Sequence, residues 1–172
     1  MLGGIEKRAL VLVDHDPRWP AAYAEHEGRI RHALGPAAVQ VEHVGSTSVP
    51  GLAAKPIIDV LVTVEDITAE EDYLDQLLDV GYELRVREPG HRLVRTPARE
   101  VHVHVLEVGD EDADDYLLFR NRLRADPDDR VLYERTKRAL IKKDWADMNA
   151  YAEAKTGVIA GIKERARQSR RP

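Results

Sequence analysis

The side chains able to do chemistry begin in one short stretch. Gly45, Ser46, Thr47, Ser48 and Gly51 form a run of small and hydroxylated residues. Glycines let backbone amides approach an anion, hydroxyls add donors, and Lys55 supplies a positive charge nearby, so a phosphate is a natural guest. The run is not a Walker loop, because Gly51 is followed by Leu52-Ala53 rather than Lys-Ser/Thr and the next element reads as a strand. An ordinary tight inter-strand loop is the alternative reading. Just downstream, Asp59 interrupts the apolar run IIDVLVTV. A buried carboxylate needs a cation, donors or a proton beside it, so a divalent metal or an internal arginine is expected there.

Two further groups have the right chemistry to meet that carboxylate. His102 and His104 alternate with Val101, Val103 and Val105, which puts both imidazoles on one face of a strand and the valines on the other. With His43 from a different strand they are candidates to hold a divalent ion with Asp59, or to act as acid or base near neutral pH. Hydrogen-bonded packing is the alternative. Later in the chain Arg120 and Arg124, Tyr133 and Lys137, and Tyr151 and Lys155 are each four residues apart, so each pair shares a helix face. Arginine suits bidentate phosphate contacts, lysine supplies a point charge, and tyrosine can hold a sugar or base. The alternative is that these are solvated charges paired with the abundant acids.

The elements that must position these groups follow from periodicity. Asp16-Pro17 reads as an N-cap and first helical residue, and Trp19, Tyr23, Ile30 and Leu34 recur at helical spacing up to Gly35-Pro36. Residues 39–44 alternate as a strand, and 57–64, almost wholly apolar, read as a central strand covered on both faces. Thr68 to Glu71 has the form of a capping box before Leu74, Leu77 and Leu78, with a stop near Gly81. Residues 82–86, 91–95 and 101–108, separated by Pro89-Gly90 and Pro97, predict an antiparallel meander. The acidic run from Asp110 to Asp115 is what a helix N-terminus favours. Helices are predicted over 116–124, 127–143 and 147–167. The class is α+β, a mixed sheet with helices on its faces and a helical C-terminal third.

Composition bounds the rest. With 172 residues, a single domain over 1–172 is expected, large enough to bury roughly 70% of its unfolded surface without staples. The absence of cysteine excludes disulfides, thiolate metal sites and a cysteine nucleophile, and makes a reducing cytoplasm the default. Glu6, Lys7 and Arg8 precede only a short apolar run, unlike a secretory signal, and no apolar stretch approaches the ~20 residues of a membrane span. A cytoplasmic protein without a membrane partner is expected. Lys plus Arg total 26 against 31 Asp plus Glu, a net charge of -5, which disfavours a duplex nucleic acid partner but allows a local basic pocket. The oligomeric state is left open.

The stretch EHVGSTSVPGLAAKPIIDVLV, residues 42–62, closely resembles the signature of the GrpB family. The opening VDHDPRWP, the VGYE segment, the HVHV of His102 to Val105, FRNRLR and the late YAEAKTGVI match the same pattern in the same order. The resemblance implies a fold like that of the nucleotidyltransferase superfamily of the DNA polymerase β type, and a related domain occurs fused to bacterial dephospho-coenzyme A kinases. In that superfamily a Gly-Ser loop holds nucleotide phosphates and strand carboxylates hold divalent metals for in-line transfer. By motif, Gly45 and Ser46 match the loop and Asp59 the first metal carboxylate, with Mg2+ the expected ion. The position two residues on, where a second carboxylate stands in that superfamily, is Leu61, and the place of a third carries His102-Val103-His104.

The resulting expectation is a nucleotide or phosphorylated small molecule held by Ser46 and the loop amides. Asp59 with His43, His102 or His104 would hold the metal, and Lys55, Arg120, Arg124, Lys137 and Lys155 would neutralise charge. Nucleotidyl or phosphoryl transfer is the activity this implies. An inactive nucleotide-binding module and a histidine-centred metal hydrolase are the alternatives.

Overall fold

The computed structural model describes residues 11–145 and 148–170. Five strands form one mixed sheet: β1 (Gln40–Val44), β2 (Ile58–Val64), β3 (Glu83–Glu88), β4 (His91–Arg95) and β5 (Val101–Glu107), in the order β1-β2-β5-β4-β3. β2 and β5 are parallel, and every other pairing is antiparallel. The apolar run of β2 accordingly lies inside the sheet, paired on both edges. The three later strands form the predicted meander.

The register sorts side chains onto two faces. Val44, Asp59 and His102 stand opposite one another, as do Leu61 and His104. Directly opposed residues share a face, so Asp59, Leu61, His102 and His104 all point one way. Val60, Val62, Val101, Val103 and Val105 point the other way into the main core, closed by Trp19, Ile30 and Leu34 of α1 (Trp19–Leu34) and by Leu74 and Leu77 of α2 (Leu74–Asp79). The Asp59 face is covered by α3 (Glu111–Ala125), whose Ala113 packs on Val44, Leu61 and Leu106.

The C-terminal third is helical: α3, α4 (Pro127–Ile141), α5 (Met148–Ala154) and α6 (Thr156–Gln168). A second core of Val49, Leu52, Leu123, Tyr133 and Ile162 fastens these helices to the hydroxyl-rich loop. Asp129, 4% exposed, accepts from the guanidinium groups of Arg122 and Arg165 and ties α3, α4 and α6 together. The chain therefore carries α4 and the junction of α5 and α6 back to the end of β1. Lys137 and Lys155 arrive at the loop by that route.

Four local elements differ from expectation. α1 starts at Trp19 with Pro20 in its first turn, because Asp16 accepts from the Arg18 amide (2.9 Å) and ion-pairs with its guanidinium instead of capping the helix. Asp66, not Thr68, is the acceptor before α2: it takes the Thr68 amide at 2.8 Å, and the helix is short, preceded by a 3-10 turn over Glu70–Asp72. Leu78 is 37% exposed, whereas Tyr73, fully buried, fills the core and donates to the Ile67 carbonyl. The helix expected from 116 starts at Glu111, capped by Asp110, whose side chain accepts from the Asp112 amide. The acidic run is thus its cap and first turn. The last predicted helix is two helices meeting at Lys155, and its expected start at Asp147 lies outside the described residues.

Candidate phosphate site at the end of the first strand

β1 ends at Val44 and the chain turns at once. Gly45 has φ 72°, and a Cβ there would stand 2.7 Å from Asp59 Oδ2. Glycine is required twice, by the left-handed backbone and by the close carboxylate. A single 3-10 turn, Ser46–Ser48, follows. Ser48 Oγ and Arg124 Nε donate to the carbonyls of Gly45 and Ser48, which holds the loop and leaves Ser46 and Thr47 on the wall of a cavity of about 240 Å³.

Lys55, Lys137 and Lys155 line the same cavity, together with Asp59, His102, Tyr133 and Tyr151. Lys137 is 3% exposed, and its Nζ lies 3.0 Å from Ser46 Oγ and donates to the Ala53 carbonyl. It also sits 4.7 Å from the centre of the Tyr133 ring. Lys55 and Lys155 lie 5.0 and 4.5 Å from the Tyr151 ring centre. Burial, then the neighbouring ammonium of Lys155, brings Lys137 down to about 7. Lys155 is lowered to about 8, again by burial first and then by Lys55. Among the described residues the buried Tyr151 hydroxyl has no hydrogen-bond partner. Three lysine side chains therefore converge on a space whose lining, among the described residues, holds one carboxylate.

That carboxylate keeps 29% of its side chain exposed toward the cavity, so it is less buried than the apolar run around it suggests. Burial pushes the Asp59 carboxyl up, but the hydrogen bond and charge of His104, then His102 and Lys55, hold it below the ordinary value. His104 Nε2 donates to Asp59 Oδ1 at 3.1 Å, and His102 Nδ1 lies 4.0 Å from the same oxygen. His104 Nδ1 lies 3.4 Å from His91 Nε2. A second cavity, about 510 Å³, adjoins the first across Gly45 and Tyr133, with His91, Tyr116 and Phe119 on its walls.

The structure brings together Gly45, Ser46, Thr47, Lys55, Asp59, His102, Lys137 and Lys155, with His104 behind Asp59. It does not bring His43, Ser48, Arg120 or Arg124 to the cavity lining. His43 lies opposite Val60 on the other sheet face, stacked on Tyr23 at 4.6 Å with Nε2 3.0 Å from Thr47 Oγ1. Burial, then Arg124, lowers it to about 4, and it supports the loop from behind instead of facing Asp59. Arg120 ion-pairs with Glu42 at 2.6 Å and donates to the His43 carbonyl, so its charge is already matched within the chain. Sequence reasoning misses His91 as a site residue. For His91 the signal is the meander register: Arg92 faces Val105, which puts His91 on the face of His104.

The donor set does not fit a resident pair of Mg2+ ions. Mg2+ prefers oxygen ligands. Leu61, in the position of a second carboxylate, is fully buried in the α3 contact. Among the described residues, no group of three or more His, Asp or Glu is disposed to hold a metal. Asp59 does fit as the one carboxylate for a Mg2+ that arrives with its phosphate oxygens and waters.

Comparison with known proteins agrees with this architecture. The family model for the GrpB protein matches residues 9–165. The chain belongs to the GrpB family. It is 62% identical over 171 residues to a UPF0157 protein of Streptomyces coelicolor, spanning 99% of this chain and 91% of that protein. The GrpB crystal structure from Enterococcus faecalis superposes with a TM-score of 0.82 at 32% identity, covering 92% of this chain and 98% of that one. The Cid1 poly(U) polymerase with Mg 3′-dATP bound matches at a TM-score of 0.52 and 13% identity, over 75% of this chain and 44% of that one. At that identity the likeness is one of fold: this GrpB chain has a nucleotidyltransferase-like sheet and helices. Among the described residues no helix is long and apolar enough to cross a membrane.

Proposed function

We propose that this GrpB protein binds a nucleotide or another phosphorylated small molecule in the lysine-lined cavity and transfers a nucleotidyl or phosphoryl group from it. The observation that carries the reading is the convergence of Lys55, Lys137 and Lys155 beside Ser46 and Thr47, with Asp59 the one carboxylate on the lining among the described residues. Ammoniums held in a partly buried site favour an anion, because bound charge offsets their mutual repulsion and lost hydration. The 240 Å³ cavity suits phosphates, and the adjoining 510 Å³ cavity with its aromatic walls offers room for a nucleoside or an acceptor.

In this reading Ser46 and the loop amides donate to phosphate oxygens, Lys55 and Lys155 offset their charge, and Asp59 would hold a Mg2+ carried by the nucleotide. Bound Mg2+ would supply charge neutralisation at the phosphoryl group. His104 keeps the Asp59 carboxylate ionised and oriented. Incubation with the four nucleoside triphosphates and Mg2+, with release of pyrophosphate or phosphate as the readout, tests transfer. Release that Asp59→Asn abolishes supports it.

A second reading is supported by Leu61. Its complete burial against Ala113 of α3 leaves no second carboxylate, which suits a module that binds nucleotides without turnover. Nucleotide binding with no release from any nucleotide would favour that module.

A further inference from the structure

Ser46 and Lys137 are ninety-one residues apart in sequence, yet Nζ and Oγ are at hydrogen-bonding distance, 3.0 Å. Simple phosphate binding does not require this contact. The lysine is almost wholly buried on α4 and fixed at its far side by the Ala53 carbonyl. The serine stands at the sharp turn after β1, between a left-handed glycine and a single helical turn, and is half-buried on the cavity wall. A hydroxyl turned toward a cavity with an amine behind it is the arrangement of an activated nucleophile and its base.

The geometry points to Ser46 as a nucleophile toward phosphorus, with Lys137 as the base that takes its proton. This rests on the reading above that the cavity takes phosphorylated ligands, and adds a covalent step to it. Oγ forms a bond to phosphorus while the bond from phosphorus to the leaving oxygen breaks. The hydroxyl proton passes to Nζ, and Lys137 returns it to the leaving oxygen. Water then attacks the phosphoserine, its proton passing to Nζ, and as the bond from phosphorus to Oγ breaks Lys137 returns that proton to Oγ, which releases the phosphoryl product and restores the serine. Lys55 and Lys155 hold the charged oxygens through both steps.

A neutral amine at Lys137 is the condition for this role. The groups around it are Lys155, Glu134, Lys55 and Arg138, with the rings of Tyr133 and Tyr151 and the Asp59 carboxylate on the same cavity. Burial and the neighbouring ammoniums bring Lys137 down to about 7, which makes the neutral amine accessible near neutrality.

The test is labelling of the full chain by diisopropyl fluorophosphate, whose phosphorus–fluorine bond stands in for the leaving oxygen, followed by intact mass and peptide mapping. One adduct is expected on Ser46, absent in Ser46→Ala. Its rate should rise through pH about 7 and fall about a hundredfold in Lys137→Arg, which keeps the charge but is no base. Lys137→Met, checked for folding by circular dichroism, should show the same loss. No adduct, an adduct elsewhere, or labelling that Lys137→Arg leaves unchanged overturns the dyad. Sulfate or nucleotide binding, measured separately by calorimetry, reports on the anion site alone. Binding without labelling ends the dyad only, and labelling without binding ends the phosphate reading.

Discussion

Gly45 lies against Asp59 so closely that a methyl group on the glycine would meet the carboxylate at 2.7 Å. The loop that faces the ligand and the acid on β2 are therefore set by one contact. Gly45→Ala combines this clash with a φ of 72°, and should cost about 2 kcal/mol in urea unfolding. Asp59 would be displaced as well, so the variant should bind nucleotide without any gain from Mg2+. An unchanged unfolding midpoint would contradict the contact.

Asp59 and the lysines have separable roles. Asp59→Asn should remove the part of ATP affinity that depends on Mg2+ and keep, or modestly tighten, the metal-free part, since one negative charge leaves an anion site. Calorimetry with Mg2+ and with a chelator measures both. Loss of metal-free binding in Asp59→Asn would show that the acid, not the lysines, organises the pocket.

Much of this fold is legible in the residues, and the failures have physical causes. β2 reads as central because its apolar run is nearly unbroken, and the valine and histidine alternation of β5 assigns both faces. The two faces of β1 are harder to assign. His43 alternates as a strand residue should, but only the register opposite Val60 shows that it points away from Asp59. Arg120 and Arg124 share a helix face as their spacing requires, yet helical spacing says nothing of what that face meets. It meets Glu42 and the loop carbonyls. The approach of Lys137 and Lys155 to Ser46 depends on the second core around Tyr133 and Ile162, a long-range packing that periodicity does not encode.

His43 gives the protein an acid sensitivity. Buried and lowered to about 4, it stays neutral when folded but takes up a proton near its ordinary value of about 6.5 when unfolded. Its contribution is complete above about pH 6.5 and is lost as the pH falls toward 4, by roughly 2 kcal/mol at about pH 5. His26 and His91, also lowered by burial, act in the same direction. Urea midpoints at about pH 7 and about pH 5 should converge less in wild type than in His43→Gln. Equal pH slopes in the two proteins would exclude His43 as the source.

Anion binding should have a base-side limit. Lys137 at about 7 and Lys155 at about 8 lose their protons in turn as the pH rises, so sulfate, whose own charge is constant there, should bind more weakly at about pH 9.5 than at about pH 6.5. Lys155→Met should remove the upper step and leave the lower one. A sulfate affinity that does not change with pH would show that neither lysine faces the anion.

The most direct test of the lysine-lined cavity is calorimetric titration of ATP, with chelator present to remove divalent ions, into the full chain and into Lys155→Met. Wild type should bind with measurable heat, and the variant about tenfold more weakly, the loss expected of one charge-assisted contact. No heat from wild type either with chelator or with Mg2+, or equal affinity in the two proteins, would contradict it.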